Sequence, residues 1–254
     1  MLGTACRSDV NLTPNRSPTM KTIVLTLAFA AASLAASAQA QPASAVAPAP
    51  AAAPADAYTT MMAATITELM STGDPAALKA VAAKLERAAT VAPKDWLPRY
   101  YQAYALVINV FQSKEDGDAK DKTLDQAETA LGQARQLHGD ASELLTLQAY
   151  LYQARLGISP MMRGQKYSEL VGEAVAQAQA LNPVNPRPYL VEANNVYFTP
   201  KMFGGGADAA KPLFEKAQAK FAAFVPAGPL APNWGQRQLQ GRMKQYETPA
   251  TAAK

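Results

Sequence analysis

The sequence predicts an all-α protein, a solenoid of antiparallel helix pairs with about nine helices. Three observations predict it. From Ala57 onward, apolar residues recur three and four apart, the spacing that puts side chains on one face of a helix. A small residue returns at the same place in successive units, at Ala88, Ala134, Ala178 and Ala217, in steps of 46, 44 and 39 residues. No run of residues alternates in the way a half-buried strand requires.

The helices are predicted at 57–71, 75–91, 96–113, 123–138, 141–157, 165–181, 186–198, 208–224 and 233–247. Asp74-Pro75 opens the second, a cap residue before a proline that loses no donor in the first turn. Asn185-Pro186 repeats that arrangement before the seventh. Thr123 with Gln126, and Asp140 with Glu143, have the spacing of capping boxes. Pro93, Gly139 and Pro183 stop the runs that precede them. Pro212 belongs in the first turn of the eighth helix, because deeper inside it removes a hydrogen bond. The polar last helix, with Gln236, Arg237, Gln240 and Lys244, reads as an outward-facing cap.

The repeat is legible in detail. Leu85-x2-Ala88-x4-Pro93 is followed by Ala127-x3-Leu131-x2-Ala134-x4-Gly139, then Val175-x2-Ala178-x4-Pro183, then Ala210-x3-Phe214-x2-Ala217. Between these run Leu145-Ala149-Tyr152 and Tyr189-Ala193-Val196. Over about residues 75–224 the pattern resembles the tetratricopeptide repeat, with its A-x3-F-x2-A-x4-P second helix. The first-helix tryptophan and glycine are replaced here by Leu145 or Tyr189 and by Ala149 or Ala193. The period exceeds the family's ~34 residues, and the excess is expected in loops at 113–122, 158–164 and 199–207. The segments 197–200, 203–206 and 232–235 (YFTP, FGGG, PNWG) are similar to those of small exported bacterial proteins of this type. The resemblance implies a concave groove lined by first helices, where partner peptides bind. Tyr104, Tyr150, Asn194 and Asn195 fall off the core stripe and are the groove candidates. It implies no activity.

The N-terminal region reads as an address. From Met20 the chain has one lysine, an apolar run from Ile23 to Leu34, and Ala38-Gln39-Ala40, the parts of a secretory signal peptide cleaved near Ala40. That run is too short for a helix that crosses a bilayer, which takes about 20 residues. Met20 is the expected start in place of Met1. Residues 41–56, almost all Ala and Pro, read as a disordered linker, residues 57–247 as the domain, and 248–254 as a disordered tail. Without residues 1–40 the charges number 21 basic and 19 acidic, and they are interspersed. Neither nucleic acid nor a membrane span in the mature chain is expected.

The residue inventory argues against catalysis. The chain holds one cysteine, Cys6, which lies in the predicted leader, and one histidine, His138. His138 sits beside Gly139 at a predicted helix end, where the imidazole interacts with the last carbonyls. The acidic stretch Glu115-Asp116-Gly117-Asp118 lacks the EF-hand register and reads as a connector. Gly204-Gly205-Gly206 lacks the frame of a nucleotide loop and reads as a turn, with anion binding as its alternative. No metal or cofactor is expected. The sequence therefore predicts an exported, non-enzymatic protein- or peptide-interaction module. The alternative is a carrier or holdase that shelters an apolar ligand in the groove.

Overall fold

The computed structural model describes residues 57–247, so the predicted leader, linker and tail lie outside the described residues. Within them the fold is all-α: α1 (Ala57–Ser71), α2 (Pro75–Val91), α3 (Leu97–Gln112), α4 (Gly117–Gln136), α5 (Ala141–Ile158), α6 (Pro160–Leu181), α7 (Arg187–Phe198), a 3-10 turn (Lys201–Phe203), α8 (Ala207–Ala223) and α9 (Gln236–Glu247). Among the described residues there is no strand.

Each helix packs on the next in sequence, and α1, α3, α5 and α7 also touch in succession. The pairs are antiparallel. Ser142 at the start of α5 donates to the Ala178 carbonyl near the end of α6, and Asn195 late in α7 donates to Ser168 early in α6. The repeat residues build this packing. Leu85, Ala88, Ala127, Leu131, Ala134, Ala149, Val175, Ala178, Ala193, Ala210, Phe214 and Ala217 are all buried. The alanines let backbones approach closely, and Leu131 and Phe214 fill the space between them.

The two kinds of helix differ in how they are buried. On α8 the buried residues are Ala210, Phe214, Ala217 and Phe221, a single stripe at helical spacing. On α3 every residue from Tyr100 to Val107 is buried, and on α5 every residue from Thr146 to Leu151. A helix buried all round has neighbours on every side, and its few polar side chains there have to be enclosed with it. One apolar cluster spans α1–α6 and takes in Val191 and Trp234, while a second joins α7, α8 and α9 around Phe214 and Leu239.

Several boundaries differ from expectation. α4 begins at Gly117, where Asp116 caps the helix by accepting from the Ala119 amide at 2.8 Å. Thr123 is inside the helix, donating to the Ala119 carbonyl. The acidic connector is thus a helix start, where negative charge suits the exposed amides. α6 begins at Pro160, so much of the extra repeat length is helix and not loop. Asn185 accepts from the Arg187 amide, and α7 starts at Arg187 just past Pro186. Pro212 sits inside α8 rather than in its first turn.

α4 ends in a Schellman arrangement, with the Gly139 amide bonded to the Ala134 carbonyl and His138 at φ +58°. The exposed His138 ring makes none of the described hydrogen bonds, so the backbone closes this end without the imidazole. Left-handed backbone disfavours a side chain, so His138→Gly is expected to stabilise the fold by about 0.5–1 kcal/mol. A urea unfolding midpoint that falls instead would show that the ring contributes to the cap.

Candidate functional site

The polar centre of the molecule is built by three parallel helices. Near their N-terminal ends, Tyr100 of α3 donates to Glu143 of α5 at 2.9 Å, and Glu143 accepts from Nε and Nη2 of Arg187 of α7. Glu143 and Arg187 are both buried, at 6% and 1% exposure. A charge pair this deep has to be satisfied by geometry, and the fork of Arg187 on the carboxylate supplies it. Burial would lower the Arg187 pKa, but the Glu143 carboxylate outweighs it and holds the guanidinium above its ordinary value. Nη1 of Arg187 has no hydrogen-bond partner among the described residues.

The same faces continue toward the C-terminal ends of these helices. Tyr104 and Phe111 follow Tyr100 on α3, Tyr150 follows Glu143 on α5, and Asn194 and Phe198 follow Arg187 on α7, at helical spacing. Tyr104 and Tyr150 stack with centroids 6.4 Å apart, and Phe111 lies 5.0 Å from Tyr150. Phe111 and Phe198 remain exposed. Arg242 of α9 lies 4.9 Å over both Tyr197 and Phe198, and Gln238, one turn earlier, donates to the Tyr150 hydroxyl at 2.7 Å.

A segment of the chain's own covers this face. Residues 224–235, between α8 and α9, contain Pro226, Pro229 and Pro232 and form no helix. Phe224 lies 4.7 Å over the Arg187 guanidinium. The Tyr101 hydroxyl donates to the Leu230 and Ala231 carbonyls, both at 3.1 Å. Trp234 is 2% exposed, donates to the Tyr100 hydroxyl at 2.7 Å, and stacks on Tyr104 and Tyr150 at 4.8 and 5.4 Å. Gly235 then turns the chain into α9 at φ +105°, and a Cβ there would stand 2.8 Å from the Phe221 ring. Only glycine meets both demands. The ninth helix accordingly starts at Gln236 and not at 233.

The sequence candidates separate. Tyr104 and Tyr150 lie beneath Trp234, Asn194 shares the helix face of Arg187, all three are buried, and Oδ1 of Asn194 has no hydrogen-bond partner among the described residues. Asn195, the next residue along α7, instead ties α7 to Ser168 of α6. Glu143, Arg187, Phe224 and Trp234 were missed. A tryptophan between Pro232 and Gly235, and an arginine opening an apolar helix, are the signals that point to Trp234 and Arg187.

Other candidates find local roles. The amides of Gly204, Gly205 and Gly206 bond the carbonyls of Lys201, Pro200 and Val196, which leaves none of the three free to cradle an anion. Asp121 is held below the usual carboxylate range by its hydrogen bond to Arg163. Among the described residues no group of His, Cys, Asp and Glu is placed to hold a metal. No described helix is long and apolar enough to cross a membrane.

Burial raises the pKa values of Tyr100 and Tyr104 well above the ordinary range and that of Tyr150 to about 12. At neutral pH both folded and unfolded states keep these protons, and nothing is lost. Above about pH 10 the unfolded chain ionises first, so the stability these phenols contribute falls as pH rises toward about 12. Absorbance at 295 nm is expected to show these tyrosines ionising only together with unfolding. Ionisation while the helical signal persists would contradict their burial.

The fold and this face define a helical protein whose distinguishing chemistry is a set of aromatic rings around a buried charge pair. No protein-family model matches the chain, the tetratricopeptide model included, and no curated protein matches it. Among solved structures it is similar to the HusA haemophore from Porphyromonas gingivalis, at 33% identity and a TM-score of 0.67, over 78% of this chain and 98% of that one. The chain belongs to the family of that haemophore.

Proposed function

We propose that the protein is an exported carrier of a haem-class ligand, a flat apolar ring system bearing carboxylates. The observation that carries this reading is the family relationship to a haemophore over nearly that protein's whole length. The ring-lined face of α3, α5 and α7 supports it, since aromatic side chains stack on flat ligands and exclude water. Phe111 and Phe198 supply exposed rings, and Arg242, lying over Phe198, supplies a cation within reach of a carboxylate.

Recognition rests on stacking rather than on an iron ligand. His138 is the one histidine, and its backbone closes α4 beside Gly139, whereas the hydroxyls of Tyr100 and Tyr101 are already engaged with Glu143 and with the Leu230 and Ala231 carbonyls. The carrier reading is the alternative the sequence had offered. The peptide-interaction reading is weakened because residues 224–235 already lie against the tyrosines that would line its groove.

The purified protein titrated with haemin is expected to give a saturable shift of the Soret band at a fixed stoichiometry. Phe111→Ala and Phe198→Ala are each expected to weaken binding about three- to tenfold, the worth of one aromatic contact. Iron-free protoporphyrin should bind within about tenfold of haemin, since no metal–ligand bond is invoked. A titration without saturation, or one indifferent to both phenylalanines, would refute the reading.

A further inference from the structure

The geometry points to residues 224–235 as an internal occupant of the ligand slot. Trp234 and Phe224 fill the places that the ring system and a carboxylate of the incoming ligand take. This rests on the carrier reading above and adds how the site is kept closed. The slot has a platform, an anchor and a removable cover.

The platform is Tyr104 and Tyr150. The Trp234 indole lies at 26° and 8° to their planes, the stacked contact a flat fused ring makes on two phenols. The anchor is Arg187. Glu143 engages Nε and Nη2, while Nη1 is sealed from solvent with no hydrogen-bond partner among the described residues, and the Phe224 ring covers the guanidinium. A ring satisfies a cation less well than an oxyanion does, so a ligand carboxylate in the place of Phe224 is the better partner.

The cover can leave without unravelling a helix. Its three prolines carry no backbone donor, and its described hydrogen bonds to α3 run through the hydroxyls of Tyr100 and Tyr101. Its two ends are held by α8 and α9, which pack on each other through Phe214 and Leu239, so the segment between them lifts as a loop. A protein that closes its own slot shields its tyrosines from water when empty and exchanges one set of ring contacts for another on loading.

The test combines haemin titration of wild type and Trp234→Ala with hydrogen exchange of the full chain. Trp234→Ala removes the competitor and is expected to tighten haemin binding about tenfold or more. On adding haemin to wild type, the amides of residues 230–235 should exchange faster while those of α3 and α5 slow. The dimethyl ester of haemin, which lacks both carboxylates, should bind about tenfold more weakly than haemin. Haemin binding by wild type with no gain in Trp234→Ala and added protection across 230–235 would overturn the internal occupant while leaving the carrier reading intact. Equal binding of the ester would remove Arg187 from the site. If neither wild type nor Trp234→Ala binds haemin, both readings fall together.

Discussion

Replacing Glu143 by glutamine is expected to lower the stability of the fold by about 3–5 kcal/mol, the cost of leaving a buried charge without its counter-ion. The amide keeps the shape of the carboxylate but not its charge, and Arg187 stays at 1% exposure with nothing to neutralise it. For a domain of this size the melting temperature should drop by roughly 10 °C. Glu143→Leu combined with Arg187→Met should recover most of the loss, because removing both charges also removes the desolvation cost. A drop of less than about 2 °C in the single variant would mean the pair is solvated in solution. This is the sharpest check on the polar centre, since Tyr100 donates to the same carboxylate and Trp234 donates to Tyr100.

Phe214→Ala is the second large effect. Phe214 is fully buried, with Tyr197 and Tyr246 packed edge-on or tilted against it at 6.0 and 6.2 Å. Truncation there should cost about 3–5 kcal/mol through lost burial and the cavity left behind. The loss should be local. Phe214 belongs to the cluster of α7, α8 and α9, which is separate from the larger cluster of α1–α6. Hydrogen exchange is therefore expected to rise first in α7–α9, with α2–α5 keeping their protection. Uniform acceleration along the chain would show that the two clusters open as one unit.

The two predictions probe features that were unequally legible. Phe214 could be found from spacing alone, because a large residue between two alanines on one helical stripe is local information. The pairing of Glu143 with Arg187 could not. Glu143 sits three residues after Asp140, which suggested a capping box, and Asp140 does accept the Glu143 amide. The carboxylate turns instead to a residue 44 positions away. The four groove candidates were partly legible for a similar reason. Tyr104 and Tyr150 fall off the stripe that spacing alone marks, yet both are buried in the larger apolar cluster, beneath a tryptophan from the far end of the chain.

The order of small and large apolar residues determined by itself that the folded region is helical, where most helices run, and which faces they bury. These follow from the chain's own periodicity, and each helix carries the information for its own buried stripe. Tertiary structure alone decided what covers the rings of α3 and α5. Tyr100 and Trp234 stand 134 residues apart, and no local pattern encodes their meeting. The middles of α3 and α5 are rich in large apolar residues on more than one side, which means that something must cover them. Which segment does so depends on how the chain returns after α8, and that return lays Trp234 on Tyr104 and Tyr150.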